Sequence, residues 1–167
     1  LPMSIIHSGV TGFYAAGGWE TFPQRGYAFS ARRRLERVPG IEVRRMARHA
    51  DLDAVARVYE AHGAGRSLTA VRDAAYWREH FSWVRDDESE FLVAEQGACV
   101  VGYVRSSRGV VHEFAHMPDV PRAADALLEA VVRRRLKRAE GRIEVAFQAP
   151  ADLPALDAEV PAVGVTG

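Results

Sequence analysis

The sequence predicts an α/β protein. Residues 41–46 alternate apolar and charged side chains, which is typical of a half-buried strand. Three more strand patterns follow, at residues 91–95, 99–105 and 110–116. Apolar side chains recur at helical spacing around these strands, at residues 50–62, 73–84 and 122–137. The short turn Glu95-Gln96-Gly97 predicts that its two strands form an antiparallel hairpin.

The first forty residues predict a short helix, a strand and a linker. Residues 5–22 indicate a strand end, a short helix, a stop at Gly17-Gly18 and the start of a new strand. Residues 27–33 are predicted as a strand because glycine precedes them and a Pro-Gly pair follows. Residues 32–40 are strongly charged and end at Pro39-Gly40, which is typical of a linker.

Capping residues and an aromatic stripe define the helices that follow. Ala50-Asp51 opens the first of them, and Asp73 is a suitable N-cap for the second. The second helix carries Tyr76 and Trp77 in an aromatic stripe that we expect to pack in the core. A last strand is predicted at residues 143–147, after the third helix.

The segment Phe13-Tyr14-x-x-x-Gly18-Trp19 resembles the Phe-Tyr-x-x-x-Gly-Phe/Trp segment of GCN5-related N-acetyltransferases. Residues 91–105 resemble the second and third strands of that superfamily, and the predicted element order matches its fold. The resemblance therefore implies a mixed, mostly antiparallel sheet flanked by helices. In the superfamily the Phe-Tyr segment lies near the C-terminal end of a domain. The resemblance therefore implies that residues 1–38 are the C-terminal end of a first domain, or a swapped or permuted complement, and that residues 41–148 form a second, degenerate domain. Residues 149–167 would be a tail or the start of a further element.

Such a tandem resembles the enhanced-intracellular-survival family of acetyltransferases. The resemblance implies transfer of an acetyl group from acetyl-CoA, as co-substrate, to an amine, without a metal. The acceptor would be a small molecule or a peptide. In many members a tyrosine hydroxyl protonates the leaving thiolate, because a pKa of about 10 keeps it protonated at neutral pH. Tyr14 stands at the matching position and is the predicted catalytic acid.

The turn before the last predicted helix departs from the superfamily pattern. Members bind the pyrophosphate of coenzyme A on an Arg/Gln-x-x-Gly-x-Gly/Ala turn, through backbone N–H groups at a helix N-terminus. Here the turn contains no glycine, and Pro118 and Pro121 each remove an N–H donor. Asp119 adds negative charge, and Arg122 alone favours an anion. The sequence therefore predicts a partial or degenerate acetyltransferase without assigned cofactor-binding residues, and a non-catalytic binding module of the same fold is an alternative.

A second alternative comes from the stretch His112-Glu113-x-x-His116, which fits the signature of zinc peptidases. On a helix, both imidazoles would lie on one face around a zinc ion, with the glutamate as general base. On a strand, the two histidines would lie about 13 Å apart along the chain and could not bind one metal. The other histidines, among them His62, are isolated in the sequence and are expected to be structural.

The composition disfavours several classes of partner. The chain has 167 residues, with 22 basic and 22 acidic side chains, so no global field favours nucleic acid or an anionic membrane. No apolar run approaches the length of a membrane-spanning helix. The single cysteine, Cys99, lies in an apolar run and is expected to be a buried thiol in a reducing interior. We therefore expect a cytoplasmic protein without nucleic-acid or membrane partners, and homo-oligomerisation stays open.

Overall fold

The computed structural model describes residues 11–20, 27–31, 35–66, 69–80, 89–107, 110–138 and 143–147. The predicted strand at the end of residues 5–10 and the predicted tail at residues 149–167 lie outside this part of the chain. The elements in chain order are α1 (Thr11–Ala15), β1 (Tyr27–Ala31), β2 (Glu42–Arg45), α2 (Leu52–Gly63), α3 (Ala74–His80), β3 (Ser89–Gln96), β4 (Cys99–Ser107), β5 (Val110–His116), α4 (Arg122–Arg138) and β6 (Ile143–Phe147).

The six strands form one sheet in the order β1-β6-β5-β4-β3-β2. Neighbouring strands pair antiparallel, except that β5 and β6 are parallel. The predicted mixed, mostly antiparallel sheet flanked by helices is thereby confirmed.

Strand β1 lies at one edge of the sheet and pairs with β6, with Tyr27 opposite Phe147 and Ala31 opposite Ile143. Strand β2 forms the other edge. A strand from residues 1–38 thus lies in the same sheet as the strands of residues 41–148. The division of the chain into these two domains stays a prediction.

Two helices cover opposite faces of the sheet because alternate strand residues point to opposite sides. On one face, Leu92 and Val104 belong to a core cluster with Leu127 of α4. On the other face, Tyr103 belongs to a second cluster with Val55 of α2 and with Trp77 of α3. Both cores have strand residues from the middle of β3 and β4, so these two strands hold the helices in place.

Glycine is required where α4 approaches the sheet. A Cβ atom at Gly102 would lie 3.1 Å from Leu127 Cδ1, 3.2 Å from the Ala115 carbonyl oxygen and 3.3 Å from Ala123 Cβ. These distances are shorter than ordinary van der Waals contacts. A side chain at position 102 would therefore push α4 away from β4.

Two expectations about side chains are modified. Trp77 is 2% exposed, as expected of the aromatic stripe, but Tyr76 is 40% exposed. The expectation that Cys99 is buried was wrong, because its thiol is exposed. Cys99 is the first residue of β4, next to the turn at Gly97, and the strand enters the core one residue later, at Val100.

No helix in the described ranges is long and apolar enough to span a bilayer.

Candidate functional site

A pocket of about 150 Å³ lies on the face of the sheet that α2 covers. Three parts of the chain form its walls: the last turns of α2, the loop that follows, and the adjoining strands β4 and β5. The residues are Tyr59, His62, Gly63, Arg66, Thr69, Tyr103, Glu113, Phe114 and Ala115.

Close approach of the loop to α2 depends on a glycine in the pocket wall. A Cβ atom at Gly63 would lie 2.6 Å from Cγ2 of Thr69, a distance that real Cβ atoms do not show. A larger residue at position 63 would move Thr69 and change the shape of the pocket.

A β-bulge gives Glu113 its direction. Arg105 of β4 pairs with Glu113, but its neighbour Ser106 pairs with Val111, so His112 is an extra residue in β5. An extra residue reverses the alternation of side chains beyond it. Val111 therefore belongs to the core under α4, whereas Glu113 and Ala115 lie at the pocket on the other face.

Glu113 accepts two hydrogen bonds on the same oxygen. The hydroxyl of Tyr103 donates to Oε1 at 2.6 Å, and the guanidinium of Arg72 donates to Oε1 and forms an ion pair with it. Burial, reinforced by the negative charge of Glu113, raises the pKa of Tyr103 well above its usual range. The Tyr103 hydroxyl therefore stays protonated and remains a hydrogen-bond donor far above neutral pH.

Three aromatic rings surround the same guanidinium. Cζ of Arg72 lies 4.0 Å from the ring centroid of Tyr59, 5.1 Å from that of Tyr76 and 5.0 Å from that of Trp77. All three distances are within the range of cation–π attraction. We call these rings together with Glu113 the Arg72 cage. It adjoins the pocket, with which it shares Tyr59 and Glu113.

Two histidines meet at the end of the pocket. The rings of His62 and His116 lie 4.9 Å apart, and His62 Nδ1 is 3.1 Å from the carbonyl oxygen of His116. Nδ1 of His116 is 2.9 Å from the carbonyl oxygen of Met117. His62 was expected to be an isolated structural residue, so its place in the pocket wall was missed.

The zinc-peptidase hypothesis is wrong. It required a helix, and His112 and His116 lie on strand β5. His112 is exposed at the bulge, with Nε2 2.6 Å from Oγ of Ser107, whereas His116 is buried against His62. Burial and the charge of Arg105 lower the pKa of His112. The described residues contain no group of three His, Cys, Asp or Glu side chains that could hold a metal ion.

Backbone hydrogen bonds occupy most N–H groups of the turn between β5 and α4. Four N–H groups donate to carbonyl oxygens of the chain itself, at 2.8 to 3.0 Å: Met117 to Val101, Val120 to Met117, Ala123 to Val120, and Ala124 to Pro121. Proline at positions 118 and 121 supplies no N–H group. Three of these bonds lie within the turn and the first residues of α4, and the fourth joins the turn to β4.

In the part of the chain that the structure describes, β5 and β6 pair at two positions. Val110 pairs with Ala146 and Val111 with Phe147, at the point where the bulge begins. From His112 to His116, β5 has no partner on that side among the described residues.

Comparison with known proteins identifies the architecture. No protein-family model matches the sequence, and no curated protein matches it either. The fold is similar to that of an aminoglycoside acetyltransferase from an uncultured soil metagenomic sample, solved in complex with sisomicin, with 19% identity over 71% of this chain and 84% of that chain and a TM-score of 0.52. It is also similar to a GCN5-related N-acetyltransferase from Sphaerobacter thermophilus, with 17% identity over 87% of this chain and 49% of that chain and a TM-score of 0.51. The fold is that of the GCN5-related N-acetyltransferases.

A functionally unknown conserved protein from Staphylococcus epidermidis has a similar structure, with 15% identity over 79% of this chain and 53% of that chain and a TM-score of 0.51. The chain therefore spans about half the length of this protein and of the Sphaerobacter protein. At such identities the likeness to GCN5-related N-acetyltransferases is one of fold.

Tyr14, the predicted catalytic acid, lies on α1 and is half-buried. Within the described ranges, its ring contacts are to Phe13, at 5.3 Å between centroids, and to Trp19, at 6.2 Å. The backbone N–H of Trp19 donates to the carbonyl oxygen of Tyr14 at 3.2 Å. The Phe-Tyr and Gly-Trp parts of the motif thus pack on each other. The role of Tyr14 stays a prediction.

Sequence reasoning missed the cage for lack of a local signal. Glu113 was noticed only as part of the zinc signature, and its ion-pair partner Arg72 lies 41 residues earlier in the chain. The one available clue was the aromatic pair Tyr76 and Trp77, four and five residues after that arginine.

Proposed function

We propose that the protein is a degenerate acetyl-CoA-dependent N-acetyltransferase, which keeps a cleft for a cationic acceptor and has lost the turn that binds the coenzyme. One observation carries the proposal: the N–H groups of Val120, Ala123 and Ala124 donate to carbonyl oxygens of the turn between β5 and α4, and Pro118 and Pro121 supply no N–H group. A pyrophosphate at a helix N-terminus requires free N–H groups. Its binding here would require the turn to break these hydrogen bonds.

The charge of the turn also disfavours binding of the pyrophosphate. Asp119 is exposed beside the helix start, where a carboxylate would repel phosphate. Arg122 is exposed as well and offers one favourable charge. We infer that acetyl-CoA binds this chain weakly.

The acceptor cleft supports binding more than turnover. An amine is protonated at neutral pH and must lose a proton before it attacks a thioester. Glu113 is the carboxylate at the pocket, but its Oε1 already accepts hydrogen bonds from Arg72 and Tyr103. To act as a base it would have to release its ion pair. Tyr14 remains the residue that we propose as the acid of the acetyltransferase activity from which this form derives.

The fold offers a precedent for a small-molecule acceptor. The metagenomic acetyltransferase of the same fold was solved in complex with sisomicin. A negatively charged side chain and aromatic walls suit a cationic ligand of this size class. A cytoplasmic location and an acetyl-CoA co-substrate are further parts of the proposal.

Isothermal titration with acetyl-CoA and with coenzyme A tests the loss of the cofactor site. We expect no saturable heat up to millimolar concentrations for the protein itself. The double variant Asp119→Arg/Arg122→Gly recreates the Arg-x-x-Gly-x-Ala pattern at residues 119–124, and we expect it to bind at least tenfold more tightly. If the wild type binds acetyl-CoA tightly and the variant binds it with the same affinity, the proposal is wrong.

A further inference from the structure

The Arg72 cage has the composition of a cation-binding site. Three aromatic faces and one carboxylate point at one guanidinium, which the chain itself supplies. Aromatic rings attract a cation through their quadrupole, and the attraction grows when the cation is shielded from water. Without the side chain of Arg72, the cage would hold one negative charge and three ring faces.

The geometry suits a guanidinium better than an ammonium. Cζ of Arg72 lies over the ring of Tyr59, 4.0 Å from its centroid, while NH1 donates to Glu113. A planar guanidinium can stack with its face and donate with its edge at the same time, whereas an ammonium is compact and more strongly hydrated.

The segment that carries Arg72 is held by few groups. Within residues 69–79, the side chains of Arg72 and Trp77 are the only ones that are not exposed, and Val71 is 99% exposed. Before α3, the hydroxyl of Tyr59 donates to the carbonyl oxygen of Ala70 at 2.8 Å, and the bonds of Asp73 are to Tyr76 and Trp77 of α3. Residues 69–73 precede α3 without belonging to a helix or strand. The side chain can therefore leave the cage without displacing α3.

Arg72, which occupies the cage, also does not use all of its hydrogen-bond donors. Nε of Arg72 is buried and has no hydrogen-bond partner among the described residues. A buried donor without an acceptor favours the state in which water reaches it. A ligand without a tether to the chain can choose an orientation that avoids this cost.

We propose that the Arg72 cage is a binding site for an external guanidinium group and that Arg72 is its intramolecular competitor. The ligand is either a free alkylguanidine or the arginine side chain of a peptide. The cage shares Tyr59 and Glu113 with the proposed acceptor cleft, but this inference does not depend on the proposed function, because it involves no coenzyme and no acetyl transfer. The apparent affinity of the external ligand is lowered by the fraction of molecules in which Arg72 occupies the cage.

Thermal unfolding with ethylguanidinium chloride tests the proposal. The variant Arg72→Ala empties the cage, and we expect a melting temperature below that of the wild type. Ethylguanidinium should raise it saturably, by about 8 °C at a hundred times the Kd. The wild type should require at least tenfold more ligand for half of its own shift.

Three controls separate the cage from general salt effects. Ethylammonium chloride at equal concentration should give less than a third of the shift. The double variant Arg72→Ala/Glu113→Gln removes the carboxylate charge, and half-saturation should need at least tenfold more ethylguanidinium. A linear response, an equal response to ethylammonium, or an unchanged response in the double variant would overturn the proposal.

Two further measurements cover folding and the source of the ligand. If Arg72→Ala does not fold, Arg72→Gln replaces it, because glutamine fills much of the cage without a charge. Arg72→Gln should bind ethylguanidinium at least tenfold more tightly than the wild type. Equal affinity of the two proteins overturns the proposal. Comparison with the amidated peptide Gly-Arg-Gly identifies the source, because tighter binding than ethylguanidinium favours a peptide and weaker binding a free alkylguanidine. If neither probe binds saturably, the cage is only structural and the proposal is wrong.

Discussion

Arg44 and Arg72 each form an ion pair with a carboxylate, and they do so in different ways. Arg44 of β2 holds Asp51 with two hydrogen bonds, at 2.6 and 2.8 Å, and bonds Glu95 of β3 at 2.6 Å. Asp51 Oδ2 also accepts the backbone N–H of Ala47, at 2.6 Å. Arg72 instead bonds Glu113 with one nitrogen, and its Cζ lies over three aromatic rings.

The difference lies in how completely hydrogen bonds define each position. The Arg44 group connects β2, β3 and the start of α2, and Asp51 has fixed partners on both oxygens. Such a network has one favourable geometry. The contacts of Arg72 with rings are weakly directional and would serve any cation of the right shape. The first group therefore stabilises the fold, and the second resembles a binding site with a ligand in it.

Asp51→Ala should cause the largest loss in this comparison. The substitution removes two hydrogen bonds to Arg44 and leaves the N–H of Ala47 without its acceptor. Because Asp51 is 5% exposed whereas the Arg44 side chain is 40% exposed, water can solvate the arginine that remains. We expect the free energy of unfolding to fall by about 3 kcal/mol, measured by urea denaturation.

Asp53→Ala is the matched control. Asp53 lies in the first turn of the same helix, α2, and is exposed. Its carboxylate should contribute only through the helix dipole, about 0.5 kcal/mol. Equal losses for the two alanine variants would mean that the ion pair does not hold α2.

The same pair should give stability a dependence on acid. The hydrogen bond from Arg44 is the main cause that lowers the pKa of Asp51 below its ordinary value. A carboxyl with a lowered pKa stabilises the fold above the pKa of the unfolded chain, about 3.9, and loses this contribution as the pH falls through the folded value. The stability difference between wild type and Asp51→Ala should therefore be constant from pH 5 to 7 and shrink below about pH 4.

Urea denaturation of both proteins at pH 7, 5, 4 and 3 measures this difference. A gap that stays constant down to pH 3 would show that the charge of Asp51 contributes nothing. The experiment requires only the difference, so acid effects common to both proteins cancel.

Much of the fold could be predicted from the sequence because its strands and helices have regular periods. The predicted strand at residues 99–105 and helix at residues 122–137 correspond to β4 (Cys99–Ser107) and α4 (Arg122–Arg138). The altered cofactor turn could also be anticipated, since missing glycine and added proline act locally on the backbone. Its hydrogen bonds became visible only in the structure.

The cage could not be predicted because it depends on contacts between distant parts of the chain. The bulge at His112 turns Glu113 to the pocket face, and no glycine marks it. Without the bulge, the strand period would place Val111, Glu113 and Ala115 on one face. The burial of Cys99 was mispredicted for a related reason, because an apolar run does not reveal where a strand enters the core.

Tyr103→Phe should cause an intermediate loss of stability, because it alters the ion pair between Arg72 and Glu113. It removes the hydroxyl that donates to Glu113 at 2.6 Å and keeps the buried ring. We expect a loss of about 1 kcal/mol at pH 7, because Arg72 still bonds the carboxylate. Tyr76→Phe is the control, since Tyr76 is 40% exposed and its loss should be near zero.

The dependence of stability on alkaline pH distinguishes the contribution of Tyr103 from that of Asp51. Burial raises the pKa of Tyr103 above that of an unfolded tyrosine, about 10, so folding disfavours the phenolate. A raised pKa means that the contribution is complete below pH 10 and is lost as the pH rises through the folded value. The wild type should thus lose stability between pH 10 and 11 faster than Tyr103→Phe. If the wild type and Tyr103→Phe lose stability at the same rate, groups other than Tyr103 cause the loss at alkaline pH.

Glu95→Gln should have the smallest effect, although its bond to Arg44 is as short as that of Asp51, at 2.6 Å. Glu95 is 22% exposed at the side chain, against 7% for Asp51, and it offers Arg44 one oxygen instead of two. Partly hydrated ion pairs contribute about 0.5 kcal/mol. A double-mutant cycle with Arg44→Met measures the two couplings separately, and that of Asp51 should be at least three times larger. Equal couplings would mean that the length of the hydrogen bond, and not its burial and bidentate geometry, decides the coupling energy with Arg44. The contrast between Arg44 and the Arg72 cage would then rest on the aromatic rings alone.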